Sequence, residues 1–148
     1  MSYSNGEALV LARLREVTNF CATNTSRADW LILNSGASDH YAIVYDGTFE
    51  AAFPAAVTRH TEFVTVIEVW QQWTTDADTH ANLLTHWTNI VEYLDKYQHL
   101  GDATKALSAV VRAGSERQTA WGKGGGPAWL LKEVQVAWTE ERSITPSE

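Results

Sequence analysis

Residues 59–73 read RHTEFVTVIEVWQQW, and this stretch decides the fold. Side chains of a strand alternate between its two faces, so Phe63, Thr65, Ile67 and Val69 fall on one side, and Glu62, Val64, Val66, Glu68 and Trp70 on the other. The length of this alternation predicts a long strand, placed at the centre of a sheet. On its C-terminal side, Asp76 or Asp78 is placed to cap a helix, and Leu83, Leu84, Trp87, Ile90, Val91, Leu94 and Tyr97 form one apolar stripe to lay on that sheet.

On its N-terminal side, residues 40–45, HYAIVY, predict a second strand stopping at the turn-forming pair Asp46 and Gly47. Residues 48–57 contain Pro54, which lacks a ladder donor and biases Phe53 away from helix, and they read as an irregular excursion. Residues 7–20 place Val10, Leu11, Leu14, Val17 and Cys21 at helical spacing, and the Thr, Asn and Ser residues of 21–28 end that helix. Trp30 to Leu33 is a short apolar run that reads as a strand before a polar turn at 34–39.

Beyond Gly101, residues 105–111 suit a strand or a short helix, broken at Gly114. Residues 115–121 and 129–138 alternate as two further strands, the last with Leu130, Val134, Val136 and Trp138 on one face, and the glycine-rich 122–127 connects them. The polar segment 141–148, with Pro146, reads as a tail. The fold class is therefore α+β: one domain over residues 1–140, with a mixed, mainly antiparallel sheet, an N-terminal helix and a second amphipathic helix packed on it.

Composition narrows the function classes. The 148 residues are 45% hydrophobic and 20% charged, as expected for a folded soluble domain. No apolar run approaches the roughly 20 residues that span a bilayer, and the first residues lack the pattern of a secretory signal, so a cytosolic, membrane-free origin is expected. Cys21 is the single cysteine and is expected to be a small buried apolar residue. A net charge of −7 disfavours a grip on nucleic-acid phosphates. Seven Trp, five Tyr and four Phe exceed what one small core needs, which suggests that some aromatic residues face a partner.

Catalytic and ligand motifs fail on their spacing. The stretch 122–126 is not followed by the Ser or Thr of a phosphate loop, and Lys123 precedes its glycines. His40, His60, His80, His86 and His99 form no His-Glu-x-x-His pair. Asp76 and Asp78 beside His80 are explained by the start of a helix, and no Gly-x-Ser-x-Gly elbow occurs. No catalytic, cofactor or metal site is expected, and function is expected to reside in surfaces that meet other proteins.

The residues 40–45 (HYAIVY), 65–70 (TVIEVW), the helix bearing Leu83 and Trp87, and the ending 134–140 (VQVAWTE) together resemble the tail terminator proteins of long-tailed bacteriophages, over about residues 7–140. The resemblance implies a structural virion subunit of the tail and neck, forming a hexameric ring that caps the tail tube and offers the joining surface for the head. Its implied partners are further copies of itself, the tail tube protein and a head-tail connector or head-closure protein. DNA passes through the channel without specific binding, which suits an acidic chain. The excursion around Phe53 and Pro54 and the tail after Glu140 depart from the family pattern, so no family residue is transferred. Phe49, Phe53, Arg112, Arg117, Lys123 and Trp129 are the candidates for the interface. Two other readings share the composition: another head-tail connector or tail-completion neck protein, and a small ligand-binding α+β domain whose tryptophans line a pocket.

Overall fold

A computed structural model describes residues 4–55, 58–97, 108–120 and 128–143; the side chains of 4–5, 48–55, 58–59, 108–120 and 141–143 lie outside that description. The elements are α1 (Ser4–Leu14), β1 (Thr25–Arg27), a 3-10 turn (Trp30–Asn34), β2 (His40–Ala55), β3 (Thr58–Gln72), α2 (Asp76–Leu94), β4 (Ser108–Ala120) and β5 (Ala128–Ser143). They make one five-stranded sheet in the order β1-β2-β3-β5-β4, with β3 central, as its alternation predicts. β1 pairs parallel with β2; the other three pairings are antiparallel. The α+β class and the N-terminal helix follow the sequence reading.

The two faces of β3 open onto two cores. Phe63, Ile67 and Val69 join Ala42 and Val44 of β2, Leu130, Val134, Val136 and Trp138 of β5, and the apolar sides of α1 and α2. Ile43, Trp70, Trp129 and Leu131, with Tyr41, form the second core under the 3-10 turn. Each fully buried aliphatic residue contributes about 1.5–3 kcal/mol, so the larger core under the helices dominates the stability of the body.

Several local expectations are corrected. The first helix ends at Leu14, because residues 15–20 continue as tight i to i+3 turns and Asn19 takes a φ of 73°. Val17 and Phe20 remain buried, but Cys21 is exposed. Trp30 to Leu33 forms a 3-10 turn, not a strand: Asp29 caps it, accepting a hydrogen bond from the Leu31 N–H at 3.1 Å. The N-cap of α2 is Thr75, whose hydroxyl accepts from the Asp78 N–H at 3.2 Å, and Asp76 and Asp78 occupy the first turn. Leu84, placed on the apolar stripe by spacing, is 43% exposed.

The strands are longer than their sequence punctuation suggests. β2 runs through Asp46 and Gly47 to Ala55, absorbing irregularity as register shifts between Asp46 and Phe49 and between Ala52 and Ala55. Pro54 falls within the second shift, where it has no register partner on β3, so its missing N–H breaks no paired position. Gly47 serves close approach instead of turning, since a Cβ there would stand 3.2 Å from the Val64 carbonyl oxygen. Gly114 lies in a register shift between Ala113 and Glu116 and does not end β4. β5 continues past Glu140 to Ser143, pairing with Thr58, so part of the expected tail belongs to the sheet. Residues 105–107 and 122–127 lie outside the described residues.

Candidate assembly surface

The sheet divides along its strands into an anchored root and a distal half. At the root, Tyr41, Ala42, Ile43 and Val44 are fully buried, and β2 has neighbours on both sides, β1 at Ala42 to Val44 and β3 throughout. His40 fastens the start of this strand. Asp39 Oδ1 lies 2.8 Å from its Nδ1, and the Asn19 carbonyl oxygen lies 2.7 Å from its Nε2. The Asn24 amide donates to the same carbonyl and accepts from the Cys21 N–H through Oδ1, so loop and strand are locked together. The hydrogen bond from His40 holds the Asp39 carboxyl below its usual range.

His86 of α2 stacks on His40, with ring centroids 4.1 Å apart, and Phe20 meets both rings edge-on. Burial, reinforced by the charge of His40 and opposed by Asp39, pushes the His86 imidazole down to about 4. Its Nδ1 is buried without a hydrogen-bond partner, which accords with a neutral ring packed as an aromatic plate.

The root ends at Asp46. β1 has its last register partner at Val44, and the Ala28 N–H donates to the Val44 carbonyl at 2.9 Å. There the Trp138 Nε1–H donates to Thr65 Oγ1 at 3.0 Å, and the Thr65 hydroxyl donates to Asp46 Oδ1 at 3.2 Å. Burial, then the charge of Glu7, raises the Asp46 carboxyl to about 6; Glu7 itself pairs with Arg27 at 3.4 Å. Gly6 permits this closeness: a Cβ on it would stand 2.4 Å from the Trp138 ring, so α1 rests directly on that indole.

Past this junction Thr61 and Glu140 are still buried. Among the described residues the last apolar core members are Phe63 on β3 and Trp138 on β5, while β2 extends to Ala55, β3 begins at Thr58 and β5 ends at Ser143. Five residues of extension amount to about 17 Å at the rise of a strand. In this distal half β2 pairs with β3 alone, and among the described residues no strand pairs with its outer edge. β4 forms the opposite border of the sheet, again with no described strand beyond it.

Four of the six interface candidates lie on these two borders. Phe49 pairs with Phe63, and Phe53 falls in the distal register shift of β2. Arg112 and Arg117 are on β4, opposite Gln135 and Leu131. Only their backbone is described, and Lys123 lies outside the described residues. Trp129 is corrected: it is 2% exposed, stands 5.8 Å from the Tyr41 ring and packs in this chain's second core, so it offers no surface.

The other tryptophans among the described residues are also used within this chain, and Trp121 lies outside them. Trp70 and Trp138 are buried, and Trp30, Trp73 and Trp87 pack against the two cores. Trp30 and Trp70 both donate their indole N–H to Glu68 Oε1, at 2.6 and 3.3 Å, which compensates a carboxylate only 5% exposed and pins the 3-10 turn to the sheet. Trp87 donates to the Glu133 carbonyl at 2.9 Å and carries Lys132 4.8 Å above its ring, tying α2 to β5. Sequence reasoning missed this network because indole donors and a buried acid meet only through sheet register.

Among the described residues no three of His, Cys, Asp and Glu gather as metal ligands, and no helix is long and apolar enough to cross a membrane. Compared with known protein families the chain matches none, and the comparison with curated proteins gives no match either.

Proposed function

We propose that the chain is a structural virion subunit, a tail terminator whose copies form a ring that caps a phage tail tube and provides the surface on which the head joins. The observation that supports this reading is that the sheet has two unlike borders, the distal half of β2 on one flank and β4 on the other, with no further strand paired to either among the described residues. A subunit with unlike borders on opposite flanks is suited to head-to-tail contacts, which close into rings. The body, held by two cores, supplies a rigid platform, and the distal half supplies reach. A net charge of −7 suits a ring whose lumen lets DNA slide past without adhering. In this reading the tail tube and a head-tail connector or head-closure protein are the partners, and assembly takes place in the host cytoplasm.

Electron microscopy of the purified chain mixed with headless tail tubes tests the proposal. Density capping one end of each tube is the expected result, and it should disappear with Phe53→Ala or Arg117→Glu in variants that retain their secondary structure. Bare tube ends at saturating protein would overturn the reading. Capping that survives both substitutions would remove Phe53 and Arg117 from the interface.

A further inference from the structure

We infer that residues 18–23, a strap between α1 and β1, are held shut by the stacked imidazoles of His40 and His86, and that a proton on His86 opens the strap while the sheet and α2 stay in place. From Thr18 to Thr23 only Phe20 is buried; the other side chains are exposed. The Phe20 ring stands edge-on to both imidazoles, with centroids 5.3 Å from His40 and 5.5 Å from His86. The Asn19 carbonyl oxygen lies 2.7 Å from His40 Nε2. Asn24 and the Thr25 hydroxyl bind the Cys21 backbone and so tie the strap to its own end, and the histidine pair joins it to α2 and to the start of β2.

The pair is built to carry one positive charge and not two. Both ring nitrogens of His40 face acceptors, the Asp39 carboxylate at 2.8 Å and the Asn19 carbonyl at 2.7 Å, so a charge on that ring is satisfied. His86 differs: its Nδ1 is buried without a partner, and its ring lies flat on His40 with centroids 4.1 Å apart. A proton placed on His86 therefore finds no acceptor at Nδ1 and stands against a ring already suited to charge. The charged groups acting on His86 are His40, which opposes its protonation, and Asp39, which favours it. Gln71 of β3, the register partner of His40, is an amide, and the adjoining turns of α2 present Asn82, Leu83, Asn89 and Ile90, none of them charged.

When the pair is doubly charged, the strap is the part that yields. α2 is fastened independently, with Leu83 and Ile90 fully buried and the Trp87 indole donating to the Glu133 carbonyl of β5 at 2.9 Å. The start of β2 is held by β1 and β3. Against these the strap has one buried side chain and a carbonyl contact, both directed at the histidines, and segments with so few buried contacts open locally before the body unfolds. Burial and the charge of His40 hold His86 at about 4 in the closed strap, against 6.5 for a ring free in water. The opening equilibrium therefore rises as pH falls below 6.5 and levels off below about 4, a gain of about a hundredfold between pH 7 and pH 4.

Amide hydrogen exchange of the whole chain, followed by NMR between pH 7 and pH 4 and corrected for intrinsic rates, tests the device. The Phe20 N–H donates to the Val17 carbonyl and the Cys21 N–H to Asn24 Oδ1, so both amides report strap opening, and Ile90 reports α2. Protection of Phe20 and Cys21 should fall by about a hundredfold on acidification, insensitive to low urea, while Ile90 remains better protected at every pH. In His86→Phe, which keeps a ring but cannot take a proton, the fall should vanish. A fall that persists in this variant would overturn the role of His86. Strap and Ile90 amides exchanging together with the same urea dependence would overturn local opening, since only global unfolding would then be seen. The wild-type chain alone keeps the idea open to refutation should His86→Phe fail to fold: a His86 ring that titrates near 6.5, or strap protection that stays constant from pH 7 to 4, would overturn it.

Discussion

One strand, β2, behaves in two ways along its length. From Tyr41 to Val44 it is fully buried, with β1 paired at Ala42 to Val44 and β3 on the other side, whereas beyond Asp46 it pairs among the described residues with β3 alone and carries two register shifts and Pro54. The first half is built as a core strand is built, with apolar residues on both faces; the second half is built as managed edges are built. In the proposed reading, stability and assembly belong to separate stretches of the same strand, with Asp46 and its neighbours at the border. Substitutions at the root should therefore change stability, and substitutions in the distal half should change association.

The largest effect is expected at Trp138, which is fully buried, stacks on Phe63 at 4.5 Å and donates to Thr65. Trp138→Ala should cost about 3–5 kcal/mol in urea unfolding. A smaller loss would mean that the border between root and distal half is softer than its packing indicates. Next is Gly6→Ala, whose new methyl group collides with the same indole and should cost about 1–3 kcal/mol. An unchanged unfolding midpoint would show that α1 can lift from the sheet without loss.

Acidification gives a shallower effect, because His86 keeps some contact with water. Its folded value of about 4 lies below the ordinary 6.5, so its contribution is complete above pH 6.5 and is lost as pH falls towards 4. Asp46 acts in the opposite sense: its folded value of about 6 exceeds the ordinary 3.8, so its contribution is complete below pH 3.8 and is lost as pH rises through 6. His86→Phe, which keeps an aromatic plate against His40, should remove the loss on acidification and expose the Asp46 slope. Urea midpoints between pH 7 and 4 check this, and a variant that follows the parent curve would exclude His86 as its source. The smallest change in stability is expected in the distal half, where Glu62→Ala, at an exposed position, should stay within about 0.5 kcal/mol of the parent.

The same division explains what could be read from sequence. The alternation of residues 59–73 exposed the central strand and both its faces, and the spacing from Leu83 to Leu94 exposed α2, because periodicity records burial directly. The run Trp30 to Leu33 was ambiguous, since four apolar residues carry no period, and the Asp29 cap decided for a 3-10 turn. Gly47, Pro54 and Gly114 read as breaks, yet each lies within a strand that accommodates it through close packing or a register shift. Sheet order has no local signature, so neither which strands form the borders nor the burial of Trp129 could be read before the strands were arranged in space.

Native mass spectrometry of the wild-type chain across a concentration series tests the central claim most directly. A subunit that closes into a ring, as proposed, should give one dominant species above the 16.5 kDa monomer, at a fixed copy number that persists as concentration rises. A monomer at every concentration up to the solubility limit, or open-ended growth with no preferred size, would contradict it.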